Sequence, residues 1–192
     1  MRLTGGEHRG RTLVVPGEGT RPTQDKVRAA IFSALAAQVP GSRVLDLFAG
    51  TGAMGFEAWS RGAARVDWVE NGRPALGALQ KNFCALKIPE TVGRIIAADV
   101  FRLLAAPCAG EGYGLVVADP PYSEAAEKRW AERLADMLAR NGWVAPGGIF
   151  VFETEGRAKP PTLAGWRFAR DKTYGAARVW MWVCENDSAH PA

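Results

Sequence analysis

The sequence predicts an α/β fold in which a mostly parallel sheet is covered by helices on both faces. From Gly41 onward, short apolar segments with strand character alternate with amphipathic segments of helical period. Such alternation is typical of βαβ units, which bury both faces of a parallel sheet. The chain has 192 residues, 47% of them hydrophobic. This suffices for one α/β domain with a full core, but not for a second large domain.

A small appendage is expected before the sheet. The segment from Leu3 to Val15 predicts a glycine-rich hairpin. Pro22 and Thr23 then begin a helix, because apolar residues recur after them at helical spacing. These residues are Val27, Ala30, Ile31, Ala34 and Leu35. We therefore expect a hairpin and helix over residues 1–40, the sheet domain over residues 41–184 and a frayed tail over residues 185–192.

Within the sheet domain, the order of the elements changes after Gly147-Gly148. The expected strands are 43–48, 65–70, 93–99, 115–118, 149–153, 166–170 and 177–184. Helices are expected after the first strand, over the segment with Leu76, Leu79, Phe83 and Leu86, and over the segment with Trp130, Leu134, Met137 and Leu138. Because only loops separate the last three strands, at least the last two should form an antiparallel hairpin at the sheet edge.

The basic charge of the chain is concentrated near its N-terminus. The formal net charge is +4, and residues 1–28 alone carry six Arg or Lys against three Asp or Glu. Neutralising phosphate groups requires such a concentration of cations, so this segment suits a phosphate-contacting surface. An ordinary solvated face would have the same composition.

Cysteines and histidines give no indication of a metal site. Cys84, Cys108 and Cys184 are widely spaced, which is typical of thiols in a reducing compartment. The only histidines are His8 and His190, so the sequence contains no Cys/His cluster and we expect no metal. No apolar stretch approaches membrane-spanning length and no signal-type apolar core is present, which predicts a cytoplasmic protein.

A glycine loop after the first strand has the pattern of a cofactor site. The segment from Gly50 to Gly55 fits G-x-G-x-x-G, and Glu70 follows 20 residues after Gly50, where a carboxylate can accept both ribose hydroxyls. Asp46 would repel a pyrophosphate but attract the ammonium and sulfonium groups of S-adenosylmethionine, so it favours that cofactor over NAD. Alternatively, Asp46 is a structural acid bound to loop amides. Asp99 would face the adenine, cap the following helix, or do both.

The segment from Asp119 to Tyr122 directly follows an apolar strand. Two prolines cannot continue a central strand, so the chain should enter a stiff, extended turn. The lone pair of a purine amino group is delocalised into the ring. A carboxylate and a proline carbonyl that accept hydrogen bonds from the two N–H groups of this amine would localise the lone pair on nitrogen, with the tyrosine stacked on the ring. The segment therefore predicts a clamp for an exocyclic amine. A loop that only ends the strand is the alternative.

Four motifs make the chain similar to class I S-adenosylmethionine-dependent methyltransferases, and more narrowly to the RsmD-type family. They are residues 2–6 with 9–11, residues 21–28, residues 46–52 and residues 119–122, and the resemblance extends over roughly residues 1–184. It implies a Rossmann-like, seven-stranded, mostly parallel sheet with an inserted antiparallel strand. It also implies methyl transfer to the exocyclic N2 of one guanine, guanine 966, in bacterial 16S ribosomal RNA.

The resemblance also implies roles for individual residues. The implied cofactor residues are Asp46, Phe48, Gly50, Thr51, Gly52, Glu70, Asp99 and Val100. The implied guanine clamp is Asp119, Pro120, Pro121 and Tyr122, and the implied RNA-binding residues are Arg2, Arg9, Arg11, Arg21, Lys26 and Arg28. One departure is Gly72, where the family often has an acid or amide, although the next helix keeps the expected Lys81-Asn82 pair. The implied partner is 16S ribosomal RNA, free or in the small subunit, and a monomer is expected.

We hypothesise that guanine N2 attacks the sulfonium methyl in line, while the protein orients the reactants and forms no covalent intermediate. Three alternatives remain. A DNA adenine-N6 methyltransferase shares the clamp chemistry but usually needs a target-reading domain, for which this chain has no room. An NAD-dependent oxidoreductase is disfavoured by Asp46 and by the terminal positions of both histidines. A non-catalytic RNA-binding module with the same fold would carry the same motifs.

Overall fold

The computed structural model describes residues 1–16, 22–156 and 159–185. It confirms the predicted α/β fold: the strands form one seven-stranded mixed sheet in the order β3-β2-β1-β4-β5-β7-β6. The chain divides into two compact units, Met1–Val100 and Phe101–Ala192. The N-terminal hairpin and the first helix belong to the same unit as the first three strands. The predicted division into an appendage over residues 1–40 and a sheet domain over residues 41–184 stays a prediction.

The first unit contains three parallel strands. Its elements are α1 (Pro22–Ala34), β1 (Arg43–Leu47), α2 (Ala53–Ser60), β2 (Arg65–Glu70), α3 (Arg73–Ala85) and β3 (Gly93–Ala97), and α4 (Val100–Leu104) follows at the boundary. β1 pairs in parallel with β2, and β2 with β3. Four consecutive residues are buried in both β1 and β2. Both strands are therefore buried on both faces rather than on alternate residues, as parallel strands covered by helices are.

The N-terminal hairpin predicted from Leu3 to Val15 is present as a short paired segment. Arg2 and Thr12 form an antiparallel bridge, and the Leu3 N–H donates to the Arg11 carbonyl at 3.0 Å. Leu3 and Leu13 are both buried. The predicted helix is α1, which buries Val27, Ile31 and Phe32, and Leu35 directly after it is also buried. Burial of these side chains holds the appendage against the unit.

The second unit combines parallel and antiparallel pairing. Its elements are β4 (Tyr113–Ala118), α5 (Tyr122–Glu127), α6 (Trp130–Arg140), β5 (Val144–Glu155), β6 (Trp166–Tyr174) and β7 (Ala177–Cys184). β4 and β5 are parallel, whereas β7 pairs antiparallel with both β5 and β6. This confirms the predicted terminal hairpin. β6 is exposed along most of its length because it is an edge strand.

Two elements differ from the sequence prediction. β5 begins at Val144 rather than at residue 149. Gly147 and Gly148 stay within the strand, because the pairing with β4 shifts in register between Tyr113 and Leu115. A side chain at Gly148 would lie 2.9 Å from the Tyr113 carbonyl oxygen, so only glycine fits there. The six-residue helix α5 was not predicted. Among the described residues, no helix has the length and apolar character needed to span a membrane.

Candidate active site

The glycine loop between β1 and α2 has a left-handed backbone. Gly50 has φ +56° and Gly52 has φ +83°, values that L side chains rarely adopt. Gly52 is also tightly packed, since an added Cβ atom would lie 2.4 Å from Leu79 Cδ1 and 2.5 Å from Phe56 Cε2. The glycine pattern therefore reflects both backbone conformation and the close approach of α3. Phe48, before the loop, also has a positive φ of 56°.

Asp46 lies inside β1 with 2% of its surface exposed. Its Oδ2 accepts a hydrogen bond from the backbone N–H of Gly55 at 2.8 Å, in the first turn of α2. A carboxylate at a helix N-terminus satisfies an otherwise unpaired N–H and complements the helix dipole. This contact is the structural role that the sequence left open for Asp46. Its attraction for a cationic cofactor stays a prediction.

Glu70, at the end of β2, binds three backbone N–H groups. Its Oε2 accepts from Gly50 at 2.7 Å, and its Oε1 accepts from Asn71 at 2.9 Å and Gly72 at 2.7 Å. Gly72 suits this arrangement, because an added Cβ would lie only 3.0 Å from Glu70 Oε1. Asn71 Nδ2 also donates to Asp99 Oδ2 at 3.4 Å. In the free protein, Glu70 thus holds the glycine loop in place.

The predicted nucleoside-binding residues line one narrow cleft of about 20 Å³. Its walls are Phe48, Val69, Glu70, Asn71, Asp99 and Val100. The chemistry of these groups fits an adenosine moiety, because two carboxylates can accept hydroxyl and amino hydrogens between apolar walls. Glu70 offers about four acceptor positions and already binds three backbone N–H groups, so a ribose that donates two hydroxyl hydrogens to it must displace at least one of them.

Asp119 follows the last residue of β4 and lies beside a second carboxylate. Ala118 pairs with Phe152 in the parallel ladder, so Asp119 is next in register to Glu153 of β5, which is 8% exposed. Asp119 keeps exposed surface, yet protein atoms crowd its carboxyl group. This desolvation, and secondly the charge of Glu153, raise the pKa of Asp119 to about 8. Two neighbouring acids of this kind favour sharing one proton.

The two prolines after Asp119 form the predicted extended turn. Pro120 is buried, whereas Pro121 is exposed and precedes α5 with φ −55° and ψ 119°. Proline supplies no backbone N–H, and the residue before a helix needs none, so Pro121 suits this position. Helix α5 then begins at Tyr122. The side chain of Tyr122, the predicted stacking partner, lies outside the described residues.

The predicted RNA-binding residues fall into three groups. Those exposed at the surface are Arg2, Arg9, Arg11 and Lys26. Arg21 lies outside the described residues. Arg28 is different, since it is only 3% exposed. Its guanidinium contacts Glu57 Oε2 at 3.2 Å and Asp25 Oδ1 at 2.9 Å, and it also donates to the Arg2 carbonyl. Arg28 is therefore a buried structural cation and not part of an accessible phosphate-binding surface.

Glu57 of α2 anchors the hairpin and was not identified from the sequence. The residue is fully buried and accepts hydrogen bonds from Thr4 N at 2.8 Å and Thr4 Oγ1 at 2.6 Å. It also pairs with Arg28 and with Arg61 Nε at 2.8 Å. Burial alone would raise the pKa of Glu57, but the hydrogen bonds from Thr4 and Arg61 and the charge of Arg28 outweigh it and lower the pKa. Glu57 is therefore an ionised buried anchor.

Glu153 was missed as a site residue because its role depends on strand register. The sequence placed it at the end of a strand but gave no reason to pair it with Asp119. As for metals, the described parts of the chain contain no group of three or more His, Cys, Asp or Glu side chains that could hold an ion.

Solved structures with a similar arrangement of strands and helices include proteins named as a methyltransferase and a methylase. A putative methyltransferase, yhhF, from Escherichia coli has a TM-score of 0.84 and 34% identity, covering 97% of this chain and 99% of that chain. A putative methylase, HI0767, from Haemophilus influenzae has a TM-score of 0.79 and 28% identity, covering 96% and 98%. The protein therefore has the Rossmann-like fold of class I S-adenosylmethionine-dependent methyltransferases.

Sequence comparison narrows this class to one family. The family model described as "Conserved hypothetical protein 95" matches residues 1–183. Ribosomal RNA small subunit methyltransferase D from Escherichia coli is 36% identical over 192 residues, covering 98% of this chain and 93% of that protein. The protein of the same name from Haemophilus influenzae is 33% identical, covering 91% and 89%. The chain belongs to this family, the RsmD family, which confirms the resemblance inferred from its motifs.

Proposed function

We propose that this protein transfers a methyl group from S-adenosylmethionine to the exocyclic N2 of a guanine in bacterial 16S ribosomal RNA. Membership of the RsmD family supports action on ribosomal RNA, because the relatives are named as ribosomal RNA small subunit methyltransferases. The observation that carries the proposal is the acidic pair of Asp119 and Glu153 at the strand end before two prolines. Carboxylates there are acceptors for an amine and for its proton.

The donor is held, in this proposal, by the glycine loop and the cleft beside it. Glu70 accepts the ribose hydroxyls in exchange for the Gly50 N–H that it binds in the free protein. Asp99 accepts from the adenine amino group, and Phe48 and Val100 enclose the ring. When bound, S-adenosylmethionine supplies an electrophilic methyl group with a good leaving group. Asp46, Thr51 and Gly52 complete the binding surface.

The clamp residues orient the guanine and manage its proton. The Asp119 carboxylate and the Pro120 carbonyl accept the two N2 hydrogens, which localises the lone pair toward the methyl group. The target base must leave its stack, and Tyr122 is proposed to support the splayed ring. After N2 has gained a methyl group, it carries a surplus proton. The ionised form of Asp119 is suited to accept this proton, because burial and the neighbouring Glu153 raise the pKa of Asp119 to about 8.

The N-terminal hairpin is proposed to bind the RNA backbone. Arg2, Arg9 and Arg11 project from the hairpin, and Lys26 lies on α1. No ion pair involving these four cations occurs within the described ranges of the chain, so their charge is available to phosphate. The buried Glu57 network fixes the hairpin to α2, which gives these cations a rigid base.

A methyl-transfer assay with defined RNA tests the proposal. Small ribosomal subunits and free 16S RNA from a strain without this protein are incubated with the enzyme and methyl-labelled S-adenosylmethionine, then digested for mass spectrometry. We expect one N2-methylated guanosine per RNA. The Asp119→Ala variant should lose transfer, whereas Glu127→Gln, an exposed change on α5, should retain it. Label on adenine, or no label on either RNA, would exclude the proposed reaction.

A further inference from the structure

We infer that Asn82 is a positioning residue that couples binding of the methyl donor to binding of RNA. The inference rests on the proposed function, because it takes the glycine loop as the donor site and the N-terminal hairpin as the RNA-binding segment. Asn82 lies in α3 with 1% of its surface exposed. It contacts both segments through one carboxamide group.

The contacts of Asn82 use both ends of the carboxamide. Its Oδ1 accepts from the Val14 N–H at 2.7 Å, and its Nδ2 donates to the Val14 carbonyl at 3.0 Å. This pairing resembles that of an adjacent β-strand, so the side chain continues the hairpin's hydrogen bonding. The second Nδ2 hydrogen reaches the Thr51 carbonyl at 3.0 Å. Buried amides are expected to satisfy their donors and acceptors, and here the partners come from two separate loops.

The two partners of Asn82 belong to the functional segments. Val14 lies two residues after Thr12, which forms the antiparallel bridge of the hairpin. Thr51 lies between Gly50 and Gly52, the two left-handed glycines of the loop. A second contact runs beside the first, from Thr51 Oγ1 to Met1 Sδ at 3.9 Å. The hairpin and the loop thus share one anchor on a rigid helix.

Donor binding must disturb this anchor. The Gly50 N–H donates to the Glu70 carboxylate at 2.7 Å. When ribose hydroxyls donate to this carboxylate instead, the hydrogen bond from Gly50 is broken. The glycines on both sides of Thr51 are the positions at which the loop can adjust. Because the Thr51 carbonyl is bound to Asn82, an adjustment of the loop alters the side chain that holds Val14. A change in the position or rigidity of the hairpin then changes its affinity for RNA, and linkage makes the effect reciprocal.

The test compares the affinity of the protein for RNA with and without S-adenosylhomocysteine, the product that remains when the donor has lost its methyl group. The dissociation constant of the substrate RNA found in the methylation assay is measured for the free protein and at saturating S-adenosylhomocysteine. In the wild type we expect the ratio of the two constants to lie in the range of about 5- to 150-fold that is typical of coupled sites. In Asn82→Ala and Asn82→Asp we expect a ratio of about one. Asp keeps the volume but replaces both Nδ2 donors with an oxygen.

Two further variants separate coupling from simple loss of stability. Gln80→Ala, an exposed change on the same helix, should keep the wild-type ratio. Val14→Pro removes the N–H that donates a hydrogen bond to Asn82 Oδ1, at a residue that is 48% exposed. This variant should abolish the coupling without any change in α3. Val14→Ala, which keeps that N–H, should retain the coupling. These two variants test the inference even if both Asn82 variants fail to fold.

The outcomes distinguish this inference from the proposed function. A wild type that methylates RNA but shows a ratio of one would overturn the coupling and leave the function intact. A folded Asn82→Asp or Val14→Pro variant with the wild-type ratio would do the same. A wild type that transfers no methyl group would overturn the proposed function instead. If kcat stays near the wild-type value while the RNA ratio collapses, Asn82 acts in positioning and not in the chemical step.

Discussion

Replacing Glu57 with glutamine should destabilise the protein strongly, because Glu57 is a buried anion shared by two arginines. Arg28, itself 3% exposed, lies at 3.2 Å and Arg61 at 2.8 Å. Each hydrogen bond between charged groups contributes about 1.5–3 kcal/mol. Glutamine keeps one accepting oxygen, but its amide nitrogen must face one of the two arginines, and the negative charge that both arginines share is lost. The expected loss is therefore about 3–5 kcal/mol, which is the usual cost of removing one partner from a buried ion pair.

Thermal and urea unfolding measure this effect. For a chain of this size, the loss corresponds to a fall of about 6–20 °C in Tm. The effect also depends on pH in a known direction. Because folding lowers the pKa of Glu57, its contribution to the free energy of unfolding is present above the ordinary value of 4.5 and disappears as the pH falls through the folded-state pKa. The free energies of unfolding of the wild type and of Glu57→Gln should therefore converge in acid. Glu7→Gln, an exposed change in the same hairpin, is the control. A loss below about 1 kcal/mol at pH 7 would refute the reasoning.

Three further predictions concern the candidate site. The pKa of Asp119 is raised to about 8, so its protonated form stabilises the fold below the ordinary value of 3.8 and that contribution disappears as the pH rises through about 8. Asp119→Asn should abolish methyl transfer yet unfold with less loss of stability between pH 5 and pH 8 than the wild type. Glu70→Gln should lower the affinities for S-adenosylmethionine and for S-adenosylhomocysteine by about 10-fold each in calorimetry, because both ligands contain the ribose. The exposed Glu90→Gln should change neither affinity. Gly52→Ala should lower both Tm and donor affinity, since φ is +83° and a Cβ would collide with Leu79. An unchanged Tm would contradict that packing argument.

The sequence predicted the elements whose signals are local. The apolar strands and the glycine loop were found because their patterns repeat over a few residues, and the terminal hairpin followed from the absence of helices between the last strands. The start of β5 was placed too late because a glycine pair reads as a break, whereas the sheet accommodates it as a register shift against β4.

The features that the sequence did not predict depend on contacts between distant residues. Arg28 was grouped with the surface arginines because composition does not reveal that Glu57, 29 positions later, buries its guanidinium. Glu153 needed the register of two strands, and Asn82 needed the path of a loop 68 positions away. Isolated residue types carry no information about such partners.

The exposed edge formed by β6 has a consequence for the behaviour of the protein at high concentration. An open strand of nine residues offers unpaired peptide groups to any other extended chain. Arg170 and Lys172 lie on this strand, and a second molecule that paired with it in register would bring like charges together and dehydrate them. Replacing both cations with threonine, a good strand former, should therefore promote self-association through β6, which light scattering would detect.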